Sequence, residues 1–227
     1  MVFHRRQFAV VLTLASFAML CAPALARNAY VANEFSNTVS VIDTAANAVV
    51  GSPIPVGTHP YGIAITPDGS RAYVTNEDLT SNSVSVIDTG TNSTVGSPIP
   101  AGETPRALAI TPDGSRAYVA NYGSANLSVI DTSTNTTVGS PIPAGNGPIG
   151  IAIASDGSRA YVTNFGVNGT VTVIDTATST TVGSPIPSLA APKGSRSPPT
   201  AHAPTSPARI RTTSPSSTPP PTPWWAR

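Results

Sequence analysis

The sequence predicts an all-β fold, a β-propeller built of four-stranded antiparallel blades with about four blades present. Four near-identical segments recur, and their tyrosines Tyr30, Tyr73, Tyr118 and Tyr161 are 43, 45 and 43 residues apart. That period suits one propeller blade. Apolar and polar residues alternate within each segment, as they do in half-buried strands. Helical periodicity is missing, and the 24 prolines and 18 glycines recur too often for helices.

Each repeat divides into four predicted strands, which the second repeat illustrates. The first, GIAIT at 62–66, is short and apolar, as expected of an innermost strand. The turn PDGS leads into RAYVTN (Arg71–Asn76), and a variable loop leads into the β-branched VSVIDT at 84–89. TVGSPIP at 94–100 is the predicted outer strand, because its prolines suit a sheet edge that need not donate an N–H.

The repeat region is expected to cover residues 27–187, with blades at about 27–55, 60–100, 105–143 and 148–187. The first blade begins at its second strand and has no inner strand of its own. Four blades are the lower limit for a closed ring, and an open arc would expose strands and blade faces. A second copy of the chain is therefore one expected partner, in a homodimer that completes the ring. The alternative to a homodimer is that the chain is a defective, truncated propeller that aggregates.

Residues 1–26 predict an export signal. MVFHRR is basic, residues 8–21 are apolar but too short to span a bilayer comfortably, and Ala24-Leu25-Ala26 is a small-x-small site for cleavage after Ala26. A membrane anchor is the alternative, and Sec and twin-arginine routes both stay open. Cleavage removes the single cysteine and leaves no membrane span. We expect a bacterial periplasmic, secreted or cell-surface protein.

Residues 188–227 differ from the repeats, with five basic residues, no acidic residue and many Pro, Ser and Thr. A disordered linker or wall-spanning stalk is one reading. The other is repeat DNA read in a shifted frame, because codons taken two bases later can encode a further repeat over 33 positions. Trp224-Trp225-Ala226 even forces Val-Gly in that frame. We favour the frameshift, assign the segment no function and expect it to be disordered.

The motifs YVTN, YVAN, VSVIDT, TPDGSRAYV and P-x-G-I-A-I resemble the YVTN-family β-propeller repeat, over residues 27–187. The resemblance implies a propeller, usually of about seven blades, in exported or surface-layer proteins. Its relatives by architecture include lactonases and cofactor-linked dehydrogenase subunits. Against seven blades, the four repeats are incomplete.

Charge and residue types exclude several kinds of site. The repeat region carries eleven acidic residues and five arginines, a balance of −6, which with few aromatic residues argues against nucleic acid as a partner. After signal removal only His59 and His202 remain as histidines. The sequence has no His/Cys metal cluster, Gly-rich phosphate loop or nucleophile elbow. We therefore expect no catalytic set, no metal and no cofactor.

The acidic residues that recur in every repeat are interpreted as structural. In the D-G turns the aspartate side chain bonds nearby backbone amides and the glycine accepts a positive φ. These turn residues are Asp68, Gly69, Asp113, Gly114, Asp156 and Gly157.

Residues that differ between repeats are better candidates for a specific site. They concentrate in loops that lead into inner strands and in loops that follow YVxN. Connections into inner strands crowd the mouth of a propeller's central channel, so His59, Tyr61, Glu103 and Arg106 are predicted to face one space. These four are the ligand-binding candidates, and ordinary solvated loop residues are the alternative.

The missing catalytic set predicts a non-enzymatic extracytoplasmic binding or scaffold protein. Its partner would be a protein, a glycan or a small ligand held by the loops. One alternative is a lactonase-like or quinone-cofactor-linked enzyme, with His59, Glu103 and Arg106 in acid–base or anion-binding roles. Another is a non-functional truncated fragment.

Overall fold

The computed structural model describes residues 28–78, 80–166 and 169–187. Within these ranges the chain forms strands joined by turns, and none of it is a helix able to cross a membrane. The predicted export signal with its cleavage site at Ala26 and the predicted tail at 188–227 lie outside the described residues.

The strands form four antiparallel sheets that follow one another along the chain. Sheet 1 contains β1 (Asn28–Asn33), β2 (Thr38–Asp43), β3 (Ala48–Val49) and β4 (Ile54–Pro55). Sheet 2 contains β5 (Pro60–Ile65), β6 (Arg71–Asn76), β7 (Ser83–Asp88), β8 (Ser93–Thr94) and β9 (Ile99–Pro100). Sheet 3 contains β10 (Pro105–Ile110), β11 (Arg116–Asn121), β12 (Asn126–Asp131), β13 (Thr136–Thr137) and β14 (Ile142–Pro143). Sheet 4 contains β15 (Pro148–Ile153), β16 (Arg159–Asn164), β17 (Thr170–Asp175), β18 (Thr180–Thr181) and β19 (Ile186–Pro187).

This architecture confirms the predicted fold class, an all-β, incomplete propeller. Each full sheet runs from an inner strand through two long strands to a short outer edge, and successive strands pair antiparallel.

The outer strand is the main departure from the predicted elements. Instead of one strand at 94–100, two short strands, β8 and β9, pair separately with β7. Thr94 pairs with Ile87 and Ile99 with Val84, so the outer edge carries two extra residues. Gly96, at φ 66, and Pro98 lie in this bulge, where a positive φ and a missing N–H interrupt the ladder.

The inner strands begin earlier than the apolar pattern predicts. β5 starts at Pro60 rather than at residue 62, and its pairing with β6 shifts register between Pro60 and Ile63. A proline is tolerated at the first residue of a strand. The irregularity occurs where the chain arrives from the preceding loop, and it recurs in β10 and β15.

The predicted D-G turns have the expected hydrogen bonds. The Asp68 carboxylate accepts from the Thr66 hydroxyl at 2.5 Å and from the Ser70 backbone N–H at 3.0 Å, and Gly69 has φ 73. Asp113 and Asp156 likewise accept from the backbone N–H two residues later, and Gly114 and Gly157 have φ values of 75 and 73.

The hydrophobic core lies between successive sheets. Each sheet has an outgoing face, which packs on the next sheet, and an incoming face, which packs on the preceding one. Between sheets 2 and 3 the outgoing face supplies Tyr73, Val84, Val86 and Ile99, and the incoming face supplies Ala117, Val119 and Ile130. Equivalent clusters join sheets 1 and 2 and sheets 3 and 4.

A buried tyrosine also ties each sheet to the next through a hydrogen bond. The Tyr73 hydroxyl donates to Asn135 Oδ1 at 2.6 Å in sheet 3, and Tyr30 does the same to Asn92 at 2.8 Å in sheet 2. Burial raises the pKa of Tyr73, which favours the protonated hydroxyl that donates this bond. The repeated tyrosine therefore serves the sheet-to-sheet interface.

Candidate functional site

The candidate residues lie in two sets of loops at one end of the sheets. Backbone hydrogen bonds link the loops of one set to those of the other. His59 and Thr104, in the loops that lead into β5 and β10, have φ values of 50 and 47. Their carbonyls accept from the first residue after β6 and β11, as Glu77 N to His59 O at 2.9 Å and Tyr122 N to Thr104 O at 3.0 Å. The non-repeated loops therefore have fixed backbones.

The loops of neighbouring sheets are also linked. The His59 N–H donates to Asn37 Oδ1 of sheet 1 at 3.0 Å, and the Thr104 N–H donates to Asn82 Oδ1 of sheet 2 at 2.9 Å. Each such bond sets one loop against the loop of the preceding sheet. Side chains from adjacent sheets are thereby held within reach of one another.

An arginine–glutamate pair forms the first half of the site. Arg106, the second residue of β10, reaches from sheet 3 to Glu77, directly after β6 in sheet 2. Its Nε and Nη2 atoms each lie 2.6 Å from Glu77 Oε1, with side-chain exposures of 28% for Arg106 and 17% for Glu77. A guanidinium has five N–H donors, and this pair engages two of its nitrogens.

Two tyrosines flank the same guanidinium. The Arg106 Cζ atom lies 3.9 Å from the centroid of the Tyr122 ring and 5.7 Å from that of Tyr61. Both distances are within the range of cation–π attraction. Arg106 is thus held by an anion and by aromatic faces, which restricts its conformational freedom.

A histidine–aspartate pair forms the second half. His59 Nδ1 lies 3.4 Å from Asp78 Oδ2, and the His59 ring meets Phe35 of sheet 1 edge-on at 6.3 Å between centroids. Hydrogen bonds from the side chain and backbone N–H of Thr80, with a smaller contribution from His59, lower the pKa of Asp78. Asp78 therefore stays ionised, and with Nδ1 facing it, Nε2 is on the opposite side of the imidazole.

The two pairs are adjacent because Glu77 and Asp78 are consecutive residues, whose Cα atoms are about 3.8 Å apart. Of the four predicted site residues, the structure brings Tyr61 and Arg106 together, and His59 is paired with Asp78, the residue after the partner of Arg106. Glu103 lies exposed in the same loop set, where its backbone N–H donates to Ser124 Oγ at 3.1 Å. It forms no ion pair with His59 or Arg106. That these residues bind a ligand stays a prediction.

Sequence reasoning missed the partners of these residues, Glu77, Asp78 and Tyr122. All three stand in the loops after YVxN, already singled out as variable, and Asp78 is a charge that the other repeats do not share, whereas the first repeat has Glu34 at the position of Glu77. The unshared charge could have made Asp78 a candidate. Their pairing with particular residues could not be read from the chain, because Glu77 and Arg106 belong to different sheets and are 29 residues apart.

The arrangement has the groups that acid–base chemistry requires. An imidazole oriented by a carboxylate can accept a proton through its outer nitrogen, and a guanidinium can stabilise negative charge that develops on oxygen. Among the described residues there is no group of three or more His, Cys, Asp or Glu side chains that could hold a metal ion.

A cavity of about 640 Å³ lies at the other end of the sheets, among the D-G turns of sheets 3 and 4. Asp113, Arg116, Asp156 and Ser158 are part of its lining. Each of these residues has an equivalent in every repeat that contains a D-G turn, so the cavity reflects the geometry of neighbouring blades. The non-repeated end remains the better candidate for a specific site.

Comparison with known proteins identifies the kind of propeller. A family model described as lactonase, 7-bladed beta-propeller, matches residues 1–138, which include every residue of the two pairs. No curated protein sequence is significantly similar to the chain.

Solved structures resemble the described fold over part of their length. Hydrazine synthase from Kuenenia stuttgartiensis matches with a TM-score of 0.65 and 31% identity, over 70% of this chain and 46% of that one. A Bacteroides uniformis protein named as a 6-phosphogluconolactonase matches with a TM-score of 0.62 and 17% identity, over 74% of this chain and 57% of that one. A functionally unknown protein from Desulfotomaculum acetoxidans matches with a TM-score of 0.54 and 21% identity, over 67% and 51%. The chain thus spans about half the length of these structures.

These similarities correct the predicted function. The prediction of a non-enzymatic binding or scaffold protein is wrong, because the matching family is one of lactonases and the 31% identical structure is that of a synthase. The prediction relied on the absence of familiar catalytic motifs. An active site on a propeller is assembled from separate loops, so it leaves no local sequence motif.

Proposed function

The chain belongs to the family of seven-bladed β-propeller lactonases, and on this premise we propose that it hydrolyses a lactone at the His59–Asp78 and Arg106–Glu77 pairs. The observation that carries the proposal is the position of the two pairs. Their carboxylates are the consecutive residues Glu77 and Asp78 of one loop, at the non-repeated end of the sheets, and both pairs lie inside the matched region.

The proposed reaction gives each side chain one role. His59 Nε2 accepts a proton from a water molecule as the water oxygen attacks the lactone carbonyl carbon. The guanidinium of Arg106 stabilises the resulting oxyanion. The ring C–O bond then breaks, the departing oxygen takes a proton from the imidazolium, and the product is the open hydroxy acid.

Three further residues act through these groups. Asp78 orients the His59 imidazole by its contact with Nδ1. Glu77 and Tyr122 fix the direction of the Arg106 guanidinium. Tyr61 offers a second aromatic ring near that guanidinium, against which the apolar edge of a small ring can pack.

The test is the hydrolysis of a series of γ- and δ-lactones by the 227-residue chain, followed by acid release with and without divalent metal. His59→Ala is expected to lower kcat/KM by about 10²- to 10⁴-fold, the usual contribution of a positioned base. Ser97→Ala, at an exposed residue in the outer loop of sheet 2, is the control and should leave kcat/KM unchanged. Equal rates for wild type and His59→Ala would refute the proposal.

We also propose the finer assignments that the sequence suggests. The repeats are of the YVTN type, given their YVxN and VSVIDT motifs, and the protein is exported to the periplasm or cell surface, given its basic and apolar first 26 residues. Residues 188–227 are a shifted reading of a further repeat. Sequencing the coding DNA tests this last assignment, which fails if the second frame does not encode repeat residues.

A further inference from the structure

The loops at the non-repeated end of the sheets hold more acidic residues than basic ones. The acidic residues there are Glu34, Glu77, Asp78 and Glu103. The basic side chains at the same end are His59 and Arg106, and His59 must be uncharged to act as the base. The surroundings of the proposed site therefore carry a net negative formal charge.

The guanidinium at this end already has its roles assigned. Its Nε and Nη2 atoms each lie 2.6 Å from Glu77 Oε1, and the proposed reaction uses the positive charge of Arg106 for the oxyanion. Nη1 is the nitrogen left for that oxyanion. An acidic substituent on the substrate would therefore find no positive partner of its own among the described residues of these loops.

Glu103 is fixed close to that guanidinium, and its carboxylate forms no ion pair within the described part of the chain. Its N–H donates to Ser124 Oγ at 3.1 Å, and its carbonyl accepts from the Gly123 N–H at 3.0 Å. A Cβ added at Gly123 would come within 3.0 Å of the Glu103 Cβ. Gly123 follows Tyr122, whose ring centroid is 3.9 Å from the Arg106 Cζ atom. The exposed Glu103 side chain therefore begins beside this stack.

The uncharged surface of the site is aromatic. The Phe35 ring meets the His59 ring edge-on at 6.3 Å between centroids, and Tyr61 and Tyr122 flank the guanidinium. Aromatic rings offer a large apolar contact area to a ligand. A lactone ring beside the two pairs is thus surrounded by apolar faces and acidic side chains.

We propose that the site selects lactones that carry no acidic group, and that Glu103 is a residue that determines this selection. The inference rests on the proposed function and specifies the substrate class of the same site. An uncharged lactone places its ring against the aromatic side chains and its carbonyl oxygen towards Arg106. A lactone with a carboxylate or phosphate substituent is repelled by the acidic residues, which slows its association.

The same charges act on the product. Water adds to the lactone carbonyl, the ring C–O bond breaks, and the hydroxy acid that results carries a carboxylate that the substrate lacked. Repulsion by Glu103 and the neighbouring acidic residues favours release of this anion. Weak inhibition by the hydroxy acid is therefore a second expectation.

The first test compares two γ-lactones that share one ring and differ in one substituent, a carboxamide or a carboxylate. At low ionic strength kcat/KM should be about tenfold or more higher for the carboxamide. The difference should shrink as salt is added, because salt screens exposed charges. Equal values, or a preference for the carboxylate, overturn the inference and leave the proposed function intact. If no γ- or δ-lactone is hydrolysed at all, the proposed function fails and the inference fails with it.

The second test is Glu103→Gln, which removes one charge and keeps the shape of the side chain. The ratio of kcat/KM for the carboxamide to that for the carboxylate should fall by about two- to fivefold, the effect of one exposed charge a few ångströms away. Inhibition by the hydroxy acid should become stronger. Asp156→Asn removes a carboxylate at the D-G end of the sheets, so it is the matched control and should keep the wild-type ratio.

Each ratio compares two rates measured on one protein sample. A smaller folded fraction in a variant therefore cancels and does not imitate the expected change. A wild-type ratio in Glu103→Gln, or an equal fall in Glu103→Gln and Asp156→Asn, overturns the assignment of Glu103.

Discussion

At the scale of single residues, the D-G turns depend on ionised carboxylates. The Thr66 hydroxyl and then the Ser70 backbone N–H bind the Asp68 carboxylate, and they lower its pKa from 3.8 to about 2. The hydroxyl of Thr111 and the backbone N–H of Ser158 have the same effect on the pKa values of Asp113 and Asp156. These turns are therefore weaker once their carboxylates are protonated.

The first prediction follows from the sign of that shift. Because the folded protein binds the Asp68 proton less tightly than the unfolded chain does, the stabilisation is complete above pH 4 and disappears as pH falls towards 2. The melting temperature should drop across this interval, and Asp68→Asn should drop less, since its amide oxygen still accepts from Ser70. Ser93→Ala, an exposed hydroxyl away from the D-G turns, is the control and should follow the wild-type curve. A parallel fall in wild type and Asp68→Asn would contradict the explanation.

The asparagine that ends each YVxN motif has a buried bonding role. Asn121 is fully buried, and its Nδ2 donates to Asn126 Oδ1 at 2.8 Å and to Ser128 Oγ at 2.9 Å. It also lies against Gly102, where an added Cβ would come within 2.6 Å of its Nδ2. Asn76 makes the equivalent bonds to Ser83 and Ser85.

We predict that Asn121→Ala lowers the free energy of unfolding by about 1–3 kcal/mol, because the Asn126 amide oxygen and the buried Ser128 hydroxyl lose their donor. Denaturant unfolding measures the loss. Ser93→Ala, an exposed hydroxyl on an outer strand, serves for comparison and should change stability by less than about 0.5 kcal/mol. If the two substitutions lowered the free energy of unfolding equally, the hydrogen bonds of the buried asparagine would not be stabilising the fold.

The candidate site could be located from the sequence only in part. Variation between repeats was enough to single out His59, Tyr61 and Arg106, because a residue that serves every blade is repeated in every blade. Their partners required the relative placement of sheets 2 and 3. Glu103 was grouped with them by its loop, and the structure leaves it exposed, since sequence position within a loop does not fix the direction of a side chain.

At the scale of elements, the long strands were predictable and the edges were not. Alternation over six residues determines β6, and β-branched residues determine β7, as both patterns report a buried pleated surface. The outer edge is split into β8 and β9 because Gly96 and Pro98 interrupt it, a detail that a continuous Val-Gly-Ser-Pro-Ile pattern does not reveal. The apolar run at 62–66 likewise does not predict the register shift in β5.

Inner strands of adjacent sheets approach so closely that one position excludes any side chain. A Cβ added at Gly62 would lie 2.3 Å from the backbone carbonyl oxygen of Arg106 in β10. The Thr75 hydroxyl donates to that same carbonyl at 2.7 Å. The carbonyl belongs to the backbone, so it cannot move aside as the end of a flexible side chain could.

We predict that Gly62→Ala destabilises the fold by about 1–3 kcal/mol, as overpacking does elsewhere. It should also lower lactone turnover, since β10 carries Arg106. Melting temperature and kcat/KM measure the two effects. Gly90→Ala, in an exposed turn with a 3.3 Å contact to Asp88, should be close to neutral for both. Unchanged stability of Gly62→Ala would mean that the inner strands are farther apart than described.

At the scale of the whole molecule, the repeats predicted the order of the sheets, and packing shows how they depend on one another. No sheet encloses a core alone; each apolar cluster is shared by two neighbours. Stability in such arrays comes from interfaces between neighbours, so the first and last sheets are the least supported. The sequence could not show this, because Ile54 and Ile186 stand in the same motif and differ only in what covers them.

The central claim is that His59, oriented by Asp78, is the base of a lactone hydrolase. The pH dependence of kcat/KM for lactone hydrolysis tests it most directly, with wild type and His59→Ala compared on one substrate. We predict that the wild-type rate falls at acid pH, because a protonated imidazole cannot accept a proton from water, and that the residual activity of His59→Ala lacks this fall. The same acid limb in both proteins would contradict the account.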